Sequence, residues 1–104
     1  MRVIITGKDF QLTEPIKTYV ENQAAKLEKF RKDIQRAKFE LDIERHHKKG
    51  ENYRVEGWVY CLRETFEAGD HAFDMRSAVD RVMEKLVRQL EQDKEKRRAA
   101  RRRS

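Results

Sequence analysis

"RAKFELDIER", residues 36–45, decides how this chain is built. Ala37, Phe39, Leu41 and Ile43 alternate with Lys38, Glu40, Asp42 and Glu44. A period of two puts the apolar residues on one face of a strand and the charged ones on the other, so the sheet is dry on one side only. The dry side needs a cover. Just upstream, "LTEPIKTYVENQAAKLEKF" (12–30) changes to steps of three and four through Ile16, Tyr19, Val20, Ala24, Leu27 and Phe30. That spacing predicts an amphipathic helix over 14–32. Thr13 is a candidate N-cap, Pro15 falls in the first turn where its missing N–H does little harm, and Glu14 suits the positive helix end.

Further out, "RVIIT" (2–6) is a short β-rich run that Gly7 stops. "HHKKGEN" (46–52) is a turn-rich loop, and "YRVEGWVYCL" (53–62) is a second long β-rich run. Both of its faces are partly apolar, so the pattern leaves its register open. "ETFEA" (64–68) completes a meander that Gly69 and Asp70 are expected to end. In "FDMRSAVDRVMEKLVRQLEQ" (73–92), Met75, Val79, Val82, Leu86 and Leu90 form the buried stripe of a last helix. Asp74 is its candidate N-cap, with a hydrophobic staple expected between Phe73 and Ala78. The order is β-α-β-β-β-α, an α+β fold: one four-stranded sheet with both helices on one face.

With 104 residues, 38% of them hydrophobic and 42% charged, the chain has room for one modest core. Its net charge of +6 is unevenly placed. The end, "KEKRRAARRRS" (94–104), carries seven of the 25 Lys and Arg residues, while the rest is nearly balanced. Such an end seeks phosphates or an anionic surface. The expected division is a domain over 1–96 and a basic C-terminal tail over 97–104, frayed when free. Cys61 stands alone, so no internal disulfide is expected and a reducing compartment is the natural reading. No signal peptide or membrane span is read, and a cytoplasmic location and a free monomer are expected.

On the last helix Arg81, Lys85, Arg88, Gln92 and Lys96 recur at helical spacing and share one face, running into the terminal cluster. Lys26, Lys29, Arg31 and Lys32 gather at the end of the first helix, where the dipole favours cations. Side by side, the two helices would form a groove lined by Lys and Arg, suited to an RNA backbone. A solvated surface laced with salt bridges is the plainer reading of the same charges, with Asp80, Glu84, Glu91 and Glu95 as an adjacent acidic stripe. Trp58 and Tyr60 alternate on a strand and could stack on bases, although packing is the commoner fate of such residues. Catalysis finds little support. Glu40, Asp42 and Glu44 read as a wet strand face. His46, His47, His71 and Cys61 lack metal-ligand spacing, and no phosphate loop or nucleophile–base signature calls for a cofactor.

"ITGKDFQLTEPIKTYVENQAAKLEKF" (5–30) and "DMRSAVDRVMEKLVRQLEQDKEK" (74–96) together resemble the ribosome hibernation promoting factors, also called ribosome-associated translation inhibitors or sigma modulation proteins. The resemblance covers almost the whole chain and implies a fold similar to double-stranded-RNA-binding domains. It further implies a non-enzyme that docks in the decoding region of the small ribosomal subunit, in the mRNA/tRNA channel, through basic residues of both helices. A second hibernation factor is a further partner it leaves open. By matching position, Lys26, Lys85, Arg88, Lys94 and Lys96 inherit rRNA contact; Lys29, Arg81, Arg97 and Arg98 fit by location. The family usually has Tyr where this chain has Arg76, and often Lys-His in place of Gln92-Asp93. Lacking the second domain of the long members, the chain looks like a short form. The rival expectations are a general RNA-binding module without a fixed site and a transcription-modulating interaction protein.

Overall fold

The computed structural model describes residues 1–45 and 50–103; His46, His47, Lys48 and Lys49 of the loop, and Ser104, lie outside the described residues. Strand β1 (Arg2–Lys8) leads to helix α1 (Glu14–Ala25) and a 3-10 turn (Lys26–Lys29). Strands β2 (Ile34–Ile43), β3 (Tyr53–Cys61) and β4 (Thr65–Ala72) follow, and helix α2 (Met75–Arg103) closes the chain. The strands lie in the order β1-β2-β3-β4, with β1 parallel to β2 and the other pairs antiparallel. The fold is α+β, with a four-stranded mixed sheet and two helices.

The alternation in 36–45 works as read. Ala37, Phe39 and Leu41 are fully buried. The pairing of Ala37 with Val59 and of Leu41 with Val55 settles the register of β3: Val55, Gly57, Val59 and Cys61 face the helices, and Arg54, Glu56, Trp58 and Tyr60 face away. Val20, Ala24 and Leu27 from the first helical segment, and Val79, Val82, Leu86 and Leu90 from α2, join the same core. Ile16, Tyr19 and Phe30 pack at its border. Both helices therefore cover one sheet face.

Four boundaries differ from the sequence reading, the first being that of β1, which runs through Gly7 to Lys8 instead of stopping at the glycine. The α-helical part of the first helix ends at Ala25, and Lys26–Lys29 tightens into 3-10 geometry. That turn keeps Leu27 buried while the Phe30 N–H donates to the Leu27 carbonyl at 3.0 Å, which swings the chain toward β2. Strand β4 runs through Gly69 and Asp70, which pair with Glu56 and Val55. Asp70 accepts from the His71 N–H at 2.8 Å and so stays in the extended ladder. Phe73 is 65% exposed, which leaves a staple with Ala78 little to contribute. Finally, α2 continues to Arg103, because Ala99 and Ala100 favour helix and nothing in "RRAARRR" breaks it. Thr13 occupies the N-cap with its carbonyl accepting from Lys17 at 2.9 Å, but its hydroxyl makes no cap bond. Asp74 does cap α2, accepting from the Ser77 N–H at 2.8 Å.

The loop after the 3-10 turn is locked by one buried cation. The Arg31 side chain is 6% exposed and holds three carboxylates. Its Nε and Nη2 donate to Asp33 at 2.5 and 3.1 Å, and its Nη1 donates to Glu64 and, at 2.9 Å, to Asp93. The Phe66 ring lies 5.5 Å from the guanidinium. The chain entering β2, the β3–β4 turn, β4 and α2 thus meet at one side chain. Hydrogen bonding to Asp33 keeps the guanidinium protonated despite burial, and Arg31 in turn holds the Asp33 carboxyl below its usual range.

Two predictions follow from this packing. A Cβ added at Gly57 would lie 2.9 Å from the Phe39 ring and 3.0 Å from Val82 Cγ1. Gly57→Ala should therefore destabilise the fold by about 1–3 kcal/mol, read as a lower urea midpoint at unchanged slope. Arg31→Met should cost about 2–4 kcal/mol near neutral pH, at the lower end because Asp33 and Glu64 are partly exposed. Asp33 is depressed in the folded state, so its contribution is present above its unfolded value and lost as pH falls through the folded one. The gap between wild type and Arg31→Met should narrow below about pH 4, and urea unfolding at about pH 7 and about pH 3 would show it.

Candidate nucleic-acid interface

The basic residues of α2 divide according to what lies beside them. On one side is β4, an edge strand whose outer carbonyls would otherwise be open to another chain. Arg81 Nη1 donates to the His71 carbonyl at 2.5 Å, Lys85 Nζ to Gly69 at 3.0 Å and Gln89 Nε2 to Glu67 at 2.8 Å. The steps match physically. Four helical residues rise about 6 Å and two strand residues about 6.6 Å, so every fourth side chain of α2 meets every second carbonyl of β4. Arg81 also approaches Glu51 at 3.4 Å, and Lys85 approaches Asp70 at 3.2 Å. Burial pushes the Asp70 carboxyl up, but the His71 N–H and Lys85 outweigh it and hold the group below its usual range. Both cations remain more than two-fifths exposed while welding α2 to the sheet edge.

On the other side α2 faces the first helix across a groove of about 600 Å³. Its floor is Leu27, Phe30, Met83 and Val87. Lys26 and Arg88 line it, but so do Asp80, Glu84 and Glu91, so the groove is mixed in charge rather than a basic channel. Tyr19 donates to Asp80 at 2.5 Å, and that bond, with burial second, raises the Tyr19 hydroxyl above its usual value. Arg76 lies 5.0 Å from the Tyr19 ring. Arg76 is thus a cation on an aromatic face whose hydroxyl is bonded to Asp80.

Past the groove the charge becomes one-sided. Lys29, Phe30, Arg31, Lys32, Asp33, Lys94 and Arg97 line a hollow of about 360 Å³ between the 3-10 turn and α2. Arg31 and Asp33 neutralise each other there, which leaves Lys29, Lys32, Lys94 and Arg97 as outward cations. Asp93, the acid in the expected contact face, is 18% exposed; it accepts from Arg31 Nη1 at 2.9 Å and forms an ion pair with Arg97 at 2.9 Å. Its charge is thus met by two arginines. Lys96 stands apart, with Gln89, Gln92, Glu64 and Phe66, on the β4 side. Arg98 lies 3.6 Å from Glu95 on the exposed helix beyond. Leu90 is the last buried residue of α2, so the helix projects about 20 Å past the core. The longest dimension of the molecule, 51 Å against 28 and 17 Å, reflects that rod.

Of the residues expected from sequence, Lys29, Lys94 and Arg97 come together, Lys26 and Arg88 flank them along the groove, and Arg81, Lys85 and Lys96 lie toward β4. Lys32 belongs with the converging set; it carried no motif, and its place in the cluster after the first helix was the signal. Among the described residues no group of three or more His, Cys, Asp and Glu could hold a metal ion, and no helix is long and apolar enough to cross a membrane. Burial raises the Cys61 thiol above its usual value, which keeps it in the unreactive form.

Comparison with known proteins places this geometry. A ribosome hibernation promoting factor of Escherichia coli is 30% identical over 97 residues, covering 92% of this chain and 96% of its own. A ribosome hibernation promotion factor of Deinococcus radiodurans is 28% identical over 86 residues, covering 83% of this chain. The chain spans about half the length of such longer relatives, 45% in that case. A ribosomal subunit interface protein of Coxiella burnetii shares the fold with a TM-score of 0.80 at 22% identity, over 90% of this chain and 98% of that one. The N-terminal domain of Thermus thermophilus Protein Y does so at 0.76 and 24%, over 88% and 98%. With the sequence model of that family matched from residue 3 to residue 98, across both helices and all four strands, the chain belongs to the Sigma 54 modulation protein / S30EA ribosomal protein family.

Proposed function

We propose that this protein is a ribosome hibernation factor that acts by occupancy, docking in the mRNA/tRNA channel of the small ribosomal subunit and inhibiting translation there. The observation that carries the reading is the convergence of Lys29, Lys32, Lys94 and Arg97, from two helical segments, around one hollow at one end of the molecule. Cations gathered from two helical segments suit the phosphates of a folded RNA, since phosphate contacts position a protein on its site. The names of its relatives point to the ribosome. Lys26 and Arg88 extend the contact along the groove, Arg81, Lys85 and Lys96 along the β4 side, and Arg97 and Arg98 along the projecting helix. Helices presenting cations from one face of a sheet also suit shape recognition of the kind double-stranded-RNA-binding domains use. A cytoplasmic location and a free monomer go with this reading.

Sedimentation with purified small subunits tests it. Binding should saturate near one copy per subunit, and tRNA with mRNA should displace it; loading of many copies without a plateau would mark a general RNA binder. Replacing Lys29 and Lys94 by Gln should weaken binding roughly tenfold or more, because each removes a charged contact from the converging set. Replacing the exposed Lys8 and Lys17 by Gln should change it little. Equal losses for the two pairs would reduce the site to net charge.

The projecting helix gives a separate outcome. Cutting the chain after Lys96 removes Arg97, Arg98, Arg101, Arg102 and Arg103 but nothing of the core, which ends at Leu90. The melting temperature should stay nearly unchanged. If three to five of these arginines meet phosphate, the slope of log affinity against log salt should fall by about 2–4. The rRNA footprint should stay in place, since Lys26, Lys29 and Arg88 remain. An unchanged slope would show the arm idle, and a moved footprint would show that it holds the address.

A further inference from the structure

The sheet has a second face, and no helix covers it. Arg2, Ile4 and Thr6 of β1, Arg36, Lys38 and Glu40 of β2, and Glu56, Trp58 and Tyr60 of β3 point there, by the register that buries their neighbours. Charge on this face is segregated. At one end Glu40, Asp42, Glu44 and Glu56 surround Arg54, which pairs with Glu44 at 3.3 Å and with Glu56. At the other end Arg2, Arg36 and Lys38 frame the two aromatic rings. Arg36 lies 4.3 Å from the Tyr60 ring centre and Lys38 5.4 Å from that of Trp58. Among the described residues neither cation is paired with a carboxylate, although Glu67 of β4 sits across from Trp58 and bounds the patch. Both rings are partly exposed rather than taken into the core.

We propose that this end of the outer sheet face binds single-stranded RNA, with successive bases stacked on Trp58 and Tyr60 and the phosphates held by Arg2, Arg36 and Lys38. Residues two apart on one strand face stand about 7 Å apart, and a flexible strand with its bases unstacked can set one base on each ring. A duplex cannot, because its bases are already stacked on each other. A base stacked on an aromatic ring outweighs an exposed cation over the same ring. The incoming strand therefore displaces Arg36 and Lys38 from the rings and frees them for its phosphates. The choice of RNA over DNA rests on the ribosomal reading above; the stacking geometry does not. This platform is on the opposite side of the sheet from the helix cations, so the two surfaces can engage different segments at once.

Trp58 is the only tryptophan, so its emission reports directly on the platform. Titration with an oligouridine of about eight nucleotides should quench it in a saturable manner, while the same strand annealed to its complement should not. Labelled-strand anisotropy should show Tyr60→Ala weakening the complex by about fivefold or more and Tyr60→Phe, which keeps the ring, preserving it. Arg36→Gln should weaken it with both rings intact, whereas Lys26→Gln with Arg88→Gln should leave it unchanged. Absence of quenching, equal quenching by the duplex, or a loss confined to the Lys26 and Arg88 variant would overturn the proposal. Small-subunit pelleting of the same variants separates the two surfaces. Quenching without subunit binding sinks only the docking reading, and subunit binding without quenching sinks only this one.

Discussion

Burying a guanidinium among three carboxylates is the constraint on which the arrangement of the helices depends. The apolar core alone would hold α2 against β3 and β4, but it would not fix where α2 stands relative to the end of the first helix. Arg31 does that. It links the chain before β2 to the β3–β4 turn through Glu64 and to α2 through Asp93, residues 33 and 62 positions away. A desolvated charge is tolerated only when its donors are satisfied, and here Nε, Nη1 and Nη2 all find carboxylate oxygen. The ring of Phe66 closes one face. Geometry at the basic end is therefore fixed by ion pairing added to the apolar contacts of Leu27 and Phe30.

Fixing cations by internal partners continues along α2. Arg81 and Lys85 spend hydrogen bonds on the carbonyls of an edge strand, with Gln89 continuing the ladder. A row of capped carbonyls discourages pairing with a second sheet, and the Lys and Arg heads add charge that repels one. Farther along α2 the same helical spacing has no strand beside it, and Arg97 and Arg98 pair instead with Asp93 and Glu95 of their own helix. One periodic pattern thus meets the sheet edge in its first half and the helix's own acids in its second.

The sequence revealed elements whose signal is local. The alternation of Ala37, Phe39, Leu41 and Ile43, and the stripe from Met75 to Leu90, are repeated one-dimensional patterns, and they led to the correct element order and to helices on a single sheet face. What failed was set by contacts distant in sequence. Gly69 and Asp70 look like a strand end until their pairing with β3 is seen, and the shift from α to 3-10 geometry at Lys26 depends on where Leu27 and Phe30 must pack. The register of β3 could not be read because Tyr53, Trp58 and Tyr60 make both faces look apolar. The candidate site was legible in composition and only partly in arrangement. Spacing put Arg81 and Arg88 on one helical ridge, but their neighbours, β4 for one and the first helix for the other, give them different surroundings. Arg31 looked like one more surface cation, since nothing near it in sequence announces Glu64 or Asp93.

Asp93 shows why charge counting misleads at such a surface. A carboxylate in a phosphate-binding face costs affinity when it points at the phosphate with its charge unopposed. Here it lies 2.9 Å from both Arg31 and Arg97, so its charge is opposed within the protein. Removing the acid would raise the formal charge, yet it would also release Arg97 to many rotamers and leave the buried Arg31 one partner short. Long cationic side chains lose considerable conformational entropy when they are fixed on a ligand. A carboxylate that fixes one beforehand lowers that cost at binding, which is the general advantage of preorganisation. The acid at this turn thus exchanges raw charge for orientation, and the arginines that continue along α2 carry positive charge farther out.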